Sequence, residues 1–442
     1  MSELGAGLNP LLILPFAGML LSIAILPLVA GRWFSSDRNR ALVSALFGAP
    51  VLLYILVSQG HAGVEAVFTT FEHYVSLIVL LASLFVVSGG IFLTGELLGT
   101  PRSNLAFLGI GALLANVVGT TGAAMLLVRP LLRANRERRY RTHIVVFTVM
   151  VVCNIGGMLT PLGDPPLFLG FLGGVDFWWT LRLFPIWALG VGLTLLVFYV
   201  VERRLYARES PLAIAEDVAD YVPLGVEGRI NILLLLGIVA AVLASEPLAE
   251  VGHAIHFPFV REVVMLVMAG LSLRLGPAAP RAKNEFSWAP IVEVAVVFAG
   301  IFASMIPALA ILEARGGELG LDQPWMFYWA TGLLSGFLDN APTYLTFAAT
   351  AIGLLDVDGL AGLTSQAVVP AVGHAPASFL AAISAGAVMM GAITYIGNAP
   401  NFMVKSIAEE SGVKMPHFFG YMAYALAVLV PVFAVVTLVF FV

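Results

Sequence analysis

Long apolar runs separated by short polar segments dominate this sequence. A membrane-spanning helix needs about 20 apolar residues, and ten runs approach or exceed that length. The predicted spans lie at about 10–30, 41–59, 74–95, 142–173 (interrupted), 180–201, 229–247, 258–275, 289–311, 378–403 (interrupted) and 418–442. Two further apolar runs, at about 104–131 and 324–352, carry polar residues at their centres.

Four polar motifs interrupt these runs, and they form two matched pairs. One pair comprises residues 116–122 (NVVGTTG) and 338–344 (LDNAPTY), at the centres of the two further runs. The other pair comprises residues 160–166 and 394–400, which share the pattern T-x-x-G-[DN]-x-P. Broken backbone at membrane depth is tolerated only where it is buried in protein or lines a cavity. Its recurrence in two halves therefore indicates the binding site of a transporter.

Composition excludes a soluble protein. Hydrophobic residues make up 60% of the chain and charged residues only 11%, whereas soluble domains carry about 25% charged residues. Most of the surface must therefore face lipid, and we expect no nucleic-acid partner. The first apolar run lacks a basic leader and is long enough to span, so it is interpreted as a true first span. The lone cysteine, Cys153, is interpreted as a packing residue.

The distribution of positive charge predicts what the two further runs are. Lys and Arg near span ends mark the cytoplasmic side. If the runs at 104–131 and 324–352 are re-entrant hairpins, all but three of the 22 Lys and Arg residues fall on one face. The three exceptions are Arg182, Arg261 and Arg315. If the runs were ordinary spans, the basic segment 129–141 would lie opposite the basic segment 31–40.

The predicted fold is an all-α integral membrane protein of two inverted-topology repeats. Each repeat has five transmembrane helices, one of them broken, and one re-entrant hairpin. The first repeat spans residues 1–205 and the second 229–442, joined by a cytoplasmic linker at 206–228 that could form an amphipathic helix. The first hairpin then opens to the cytoplasm and the second to the outside. Both termini are expected on the outer side of the inner (plasma) membrane.

Oxygen-bearing side chains in the motifs suit a hard cation such as Na⁺. The candidate ion- or substrate-binding residues are Asn116, Thr120, Thr121, Thr160, Gly163, Asp164, Asp339, Asn340, Thr343, Thr394, Gly397, Asn398 and Asn401. Four of them are the candidate Na⁺ ligands: Asn116, Asp164, Asn340 and Asn398. Each motif also has a purely structural interpretation, in which it caps or satisfies its own broken helix.

Ionisable residues inside apolar runs are candidate proton carriers. Asp164, Asp339 and Glu293 are the candidates, although Glu293 is close enough to a span end to reach water. The pair Glu72–His73 starts a predicted span, and it too is close enough to the span end to reach water. Lys405 follows the last motif and is either a mouth charge or an ordinary topology residue. No cluster has transition-metal spacing, and no phosphate-binding loop with a lysine is present.

These motifs resemble the ion transporter superfamily, which includes NhaD-type sodium/proton antiporters, citrate transporters, divalent-anion/sodium symporters and arsenite permeases. The likeness lies in Asn116 with Thr120-Thr121, residues 154–166, residues 339–343 and residues 397–401. It implies inverted repeats, sodium sites where hairpin tips meet broken helices, homodimers and elevator-type alternating access. The hairpin tips depart from the Ser-Asn-Thr pattern of the symporters, and Asp164 stands where the symporters tend to be neutral. In both respects the sequence is closer to the antiporters and arsenite permeases.

Two functions are compared. Surplus carboxylate with no Lys or Arg in the motif cores favours a sodium/proton antiporter, in which one carboxylate binds either Na⁺ or H⁺. The alternative is sodium-coupled uptake of citrate, a dicarboxylate or another oxyanion, since half-helix N-termini attract anions. No nucleophile–base pair stands out, so the protein is not expected to be an enzyme. No cofactor is expected other than Na⁺ as the coupling or transported ion.

Overall fold

The computed structural model describes residues 2–95, 98–210, 223 and 225–442, and helices dominate it. The predicted linker falls largely on residues outside this description. The described residues of the first half form nine α-helices: α1 (Ser2–Ala6), α2 (Leu14–Val29), α3 (Gly31–Phe34), α4 (Asp37–Ser58), α5 (Gly60–Gly89), α6 (Pro101–Ala134), α7 (Thr142–Val151), α8 (Pro165–Leu172) and α9 (Phe184–Tyr206). Short 3₁₀ segments occur at Pro10–Ile13, Ile155–Met158 and Phe177–Leu183.

The second half is also helical. Its described helices are α10 (Ile230–Leu243), α11 (Ser245–Ile255), α12 (Val260–Leu275), α13 (Ala278–Lys283), α14 (Ala289–Arg315), α15 (Pro324–Phe337), α16 (Asn340–Leu355), α17 (Gly359–Gly362), α18 (Pro376–Met390), α19 (Ala399–Glu410) and α20 (Phe418–Phe440). Short 3₁₀ segments occur at Gly316–Leu319 and Gly391–Ile393. Two three-residue strands, β1 (Phe92–Thr94) and β2 (Gly225–Glu227), pair antiparallel and join the halves.

The protein is a multi-span membrane protein. Among the described residues, eight helices are long and apolar enough to cross a membrane, or nine if the bent pair α10–α11 counts as one span. The outer helices expose large apolar side chains, such as Leu46 at 67% and Val57 at 77%. In water such exposure would be unfavourable, but in lipid it is the expected surface. By contrast α18, which leads to the last polar motif, is almost wholly buried.

Two helices differ from the sequence-based boundaries. Helix α5 begins at Gly60 rather than near residue 74, so Glu72 and His73 lie inside a long helix instead of at its start. Hydropathy missed this extension because its polar residues interrupt the apolar run without interrupting the helix. Helix α10 ends at Leu243, and α11 continues at an angle of 71° to it.

Helix α6 doubles back on itself at Gly119, whose backbone has φ 77° and ψ 158°. The Asn104 amide near one end donates to Asn135 Oδ1 at 2.9 Å, and the Asn135 amide near the other end returns a bond of 2.9 Å. In a straight helix these residues would be more than about 40 Å apart at 1.5 Å per residue. Residues 101–134 therefore form a helical hairpin with its tip at Gly119.

Replacing Gly119 with alanine is expected to destabilise the protein by about 1–3 kcal/mol, because its φ and ψ lie in a region essentially reserved for glycine. The thermal midpoint of the detergent-purified protein, followed by tryptophan fluorescence, should fall. Gly270→Ala is the matched control, since its helix is regular and a Cβ there meets nothing within 4 Å. Equal midpoints for the two variants would contradict a strained turn at Gly119.

Helices α15 and α16 also fold back on each other, with their break at Leu338–Asp339. The rings of Phe327 and Phe347 pack edge to face with centroids 6.3 Å apart. The bases of the two hairpins lie toward opposite ends of α9, because Glu202 near its C-terminal end pairs with Arg138, whereas Arg182 just before its start lines a pocket with Thr364, which follows the second hairpin. The base of the first lies beside Arg138, whereas that of the second lies beside His374, which bonds Gln323 at 2.9 Å.

Several basic residues lie near the base of the first hairpin. There Arg141 donates to Gly412 O at 3.2 Å and Thr142 donates to Lys414 O at 3.1 Å. At the other end, Arg182 lines a pocket with Thr364, in the loop that follows the second hairpin. Arg261 lies over the ring of Phe168 on α8, and Arg315 directly precedes the 3₁₀ turn before α15.

Candidate functional site: a buried carboxylate between two hairpins

Asp164 occupies the break in the first interrupted span. Its backbone is extended (φ −148°, ψ 144°), and α8 begins directly after it at Pro165-Pro166. Proline has no N–H to donate and is preorganised for a first helical turn, so the sequence stops the chain here and restarts it as a helix. The Asp164 side chain is only 1% exposed.

The carboxylate of Asp164 joins three other motifs. Thr120 Oγ1, at the tip of the first hairpin, donates to Oδ1 at 2.9 Å. Asn398 Nδ2, at the break of the second interrupted span, also donates to Oδ1, at 3.0 Å. Asn340 Nδ2, at the tip of the second hairpin, donates to Oδ2 at 2.5 Å. All four polar motifs of the sequence therefore meet at one side chain.

All three donors to Asp164 are neutral. In the described part of the chain, no Lys, Arg or His forms an ion pair with this carboxylate. A buried charge without a partner is costly, and an ionisable group at membrane depth usually pairs or carries a proton. The arrangement therefore suits a carboxylate that carries either a proton or a monovalent cation.

Asp339 lies at the tip of the second hairpin, immediately before Asn340. It is the N-cap of α16, since its Oδ1 accepts a bond from the Ala341 N–H at 3.0 Å. Thr343 Oγ1 donates to the Asp339 carbonyl at 2.8 Å, within the first turn of the helix. The motif thus caps its own helix, as its structural interpretation predicts. The same motif places a second carboxylate, that of Asp339, beside the Asp164 cluster.

Two amide oxygens near this cluster are buried without a donor among the described residues: Asn340 Oδ1 and Asn154 Oδ1. Unsatisfied buried acceptors are unusual and call for an explanation. Asn154 Oδ1 and the Gly397 carbonyl oxygen both lie near Gly391, at 2.9 and 3.1 Å from the position that a Cβ would occupy there. Neutral oxygens are among the ligands that hard cations take.

The two halves build the same contacts around their breaks. Thr160 Oγ1 donates to the Asn116 carbonyl at 2.5 Å, and Thr394 Oγ1 donates to the Gly336 carbonyl at 2.6 Å. In each half the glycine of T-x-x-G lies against the carbonyl of the glycine six residues before it. These pairs are Gly163 with Gly157 and Gly397 with Gly391.

Asparagines hold the broken segments together. Asn116 Nδ2 donates to Gly156 O at 2.7 Å, and its Oδ1 accepts a bond from the Leu159 N–H at 2.7 Å. Asn401 Nδ2 donates to the carbonyls of Gly391 and Thr394, both at 2.9 Å. Their side chains satisfy backbone groups that the breaks leave unpaired, so they contribute geometry rather than free ligand atoms.

One residue in the cluster was missed by sequence reasoning. Asn154 Nδ2 donates to Asn401 Oδ1 at 2.8 Å and so links the two broken segments across the halves. Asn398 makes a second such link, since its Nδ2 also donates to the Cys153 carbonyl at 2.9 Å. The available signal was an asparagine inside the apolar run VVCN, a polar side chain where a span has no use for one.

Several candidates lie away from the cluster. Glu293 pairs with Arg40 at 3.0 Å near the basic end and is partly exposed. Lys405 pairs with Glu409 one helical turn on, at 2.7 Å. Glu72 and His73 line a separate cavity of about 530 Å³. Thr121 makes no described hydrogen bond to the cluster, whereas its neighbour Thr120 does.

Within the described residues, no group of three or more His, Cys, Asp or Glu is placed to hold a metal ion.

Comparison with known proteins identifies the family to which the chain belongs. No curated protein matches the sequence. A family model described as "Putative citrate transport" matches residues 5–441, nearly the whole chain. The chain therefore belongs to this citrate-transport family, within the ion transporter and citrate transporter-like group that its four motifs resemble.

Proposed function

We propose that the protein is a secondary active transporter that exchanges Na⁺ for H⁺, with Asp164 as the shared binding group. The observation that carries this proposal is a buried carboxylate held by three neutral donors and by no described basic side chain. A proton or a Na⁺ ion would each neutralise it. Because both cannot occupy the same oxygens, binding of one releases the other, and competition becomes exchange.

The remaining ligands of Na⁺ are proposed from the neighbouring oxygens. Asn340 Oδ1 is buried and without a described donor beside the Asp164 carboxylate. Asp339, next to it, supplies a second carboxylate at the hairpin tip. Na⁺ prefers oxygen ligands of this kind, and a second titratable group allows more than one proton to move per cycle.

For the architecture, we propose two inverted repeats with re-entrant hairpins and elevator-type alternating access. The equivalent Thr–carbonyl bonds and Gly–Gly contacts of the two halves support the repeat. The hairpin bases lie toward opposite ends of α9, which supports the inversion and re-entry. Cytoplasmic placement of the basic end, both termini outside, a location in the inner membrane and homodimer assembly remain parts of this proposal.

Citrate or a related carboxylate is the second candidate, and the family description favours it. The geometry restricts how citrate could bind at this site. A multiply charged anion beside the Asp164 carboxylate would be repelled unless a proton or a Na⁺ ion occupied that carboxylate first. Citrate transport would therefore be strictly coupled to a cation, and the cation site would be the same.

Everted membrane vesicles with a pH-sensitive dye test the first candidate. Addition of Na⁺ or Li⁺ to vesicles holding a proton gradient should dissipate the gradient between about pH 6.5 and 9. Uptake of labelled citrate into proteoliposomes, with and without a Na⁺ gradient, tests the second. A dye response without citrate uptake supports the antiporter, and citrate uptake without a dye response overturns it.

Replacing Asp339 with asparagine is expected to abolish the dye response while leaving a folded protein. The amide oxygen of Asn can still cap α16, because Asn is as good an N-cap as Asp. Only the charge beside Asn340 is lost. Asp358→Asn is the matched control, since Asp358 stands at the N-cap position of the short helix α17, outside the cluster. A wild-type response in Asp339→Asn would remove Asp339 from the mechanism.

A further inference from the structure

A second buried polar cluster closes the base of the first hairpin. Its centre is Glu202 on α9, which is fully buried. Its Oε1 accepts bonds from Asn104 Nδ2 at 2.8 Å and from Arg138 Nη1 at 2.5 Å. Its Oε2 is bonded to Arg138 Nη2 at 3.0 Å and to His143 Nε2 at 2.5 Å. A carboxylate with this many partners is held in one position.

Arg138 connects this carboxylate to both arms of the hairpin. Its Nη1 also donates to the Gly99 carbonyl and to Asn135 Oδ1, both at 3.0 Å. Asn104 and Asn135, from the first and second arms, exchange two bonds with each other. The cluster therefore ties both arms of the hairpin to α7, through His143, and to α9.

Among the described residues, different contacts are found at the base of the second hairpin. Gln323, before its first arm, is bonded to His374 at 2.9 Å in a partly buried site. Within the described residues, no ion pair links the two arms of this hairpin at its base. The two hairpins thus contribute similar tips to the Asp164 cluster but are anchored very differently.

We infer that Arg138 and Glu202 are positioning residues, which fix the base of the first hairpin so that Thr120 at its tip stays against Asp164. The inference rests on the proposed function, because it assigns the first hairpin a role at that site. Removing one partner of a buried ion pair strongly destabilises a protein, because the other charge stays buried without a partner. The anchoring therefore depends on both residues.

Hydrogen–deuterium exchange of the purified wild-type protein in detergent tests the anchoring without any transport assay. Amides at the base of the first hairpin (residues 131–138) should exchange at least about tenfold more slowly than those at the base of the second (352–358). Glu202→Gln should remove most of this difference. Equal exchange at the two bases, or unchanged exchange in Glu202→Gln, would overturn the inference.

A kinetic measurement separates positioning from general damage. In everted vesicles, Glu202→Gln should raise the Na⁺ concentration for half-maximal response about tenfold, as expected for a charged hydrogen bond, with little change in maximal rate. A lower rate at unchanged Na⁺ dependence would overturn positioning. Glu246→Gln, exposed at the start of α11, is the matched control.

A replacement variant and the wild-type exchange data allow the anchoring and the proposed function to be tested separately. If Glu202→Gln is not recovered folded, Asn104→Ala, which removes one donor from one arm, takes its place in both measurements. Its exchange at residues 131–138 must then rise, and unchanged exchange counts against the inference. If the wild type shows no Na⁺ response, the proposed function fails, whereas the exchange comparison still decides whether the first hairpin is anchored.

Discussion

Asp164→Asn is expected to reduce Na⁺-dependent proton exchange to the background of vesicles that lack the protein. The substitution keeps the shape of the side chain but removes the charge of the carboxylate at which the four motifs meet. A neutral amide neither releases a proton nor offers the charge that balances Na⁺. It also presents an N–H₂ group toward donors that need an acceptor, namely Thr120, Asn340 and Asn398.

The experiment compares Asp164→Asn with Asp176→Asn at equal amounts of protein in the membrane. Asp176 caps the following 3₁₀ segment through a bond from the Trp178 N–H at 2.8 Å, and asparagine caps about as well. The control variant should therefore exchange like the wild type. Exchange in Asp164→Asn above one tenth of the wild-type rate would show that the carboxylate does not carry the exchanged ion.

Gly163→Ala is expected to have the largest effect on stability, about 3 kcal/mol or more if the backbone cannot relax. A Cβ on Gly163 would overlap the backbone carbonyl of Gly157, and no side chain is available to turn away. The Gly163 carbonyl also accepts the Thr120 N–H at 2.8 Å. Displacing this residue would therefore separate the first hairpin tip from Asp164 as well as strain the break.

Folded yield and thermal midpoint in detergent measure this effect. Gly192→Ala is the matched control, because it lies on the exposed side of α9 and a Cβ there meets nothing within 4 Å. Alanine is favoured over glycine in helices by up to about 1 kcal/mol, so the control should be neutral or slightly stabilising. A Gly163→Ala protein as stable as this control would show that the two segments do not cross as closely as described.

Much of the candidate site was predictable because membranes restrict what a sequence can contain. Thr160, Gly163 and Asp164 stood out since polar, helix-breaking residues are rare in apolar runs, and Thr394, Gly397 and Asn398 repeated them. Charge distribution predicted a re-entrant hairpin at about 104–131, and the Asn104–Asn135 bonds show that the ends of this segment lie close together. Local rules of this kind act within one segment and are therefore visible in sequence.

Other features depended on contacts between segments that are far apart in the chain. Glu293 resembled Asp164 as an acid in an apolar run, but its position on α14 places it beside Arg40 instead of the site. Thr120 and Thr121 were equivalent in sequence, and helix rotation at the hairpin tip selects Thr120. Asn154 gave too weak a signal to be chosen, although it bonds Asn401 across the two halves.

The sequence by itself determined that the chain crosses a membrane, where its backbone is interrupted, and which polar residues stand at those interruptions. The physical reason is that hydrocarbon tolerates neither charge nor unpaired backbone, so each exception is conspicuous. Only the tertiary structure decided that the four interruptions converge on Asp164 and that a buried ion pair anchors the base of the first hairpin. Those outcomes depend on distances between helices, and such distances are set by packing rather than by any local pattern.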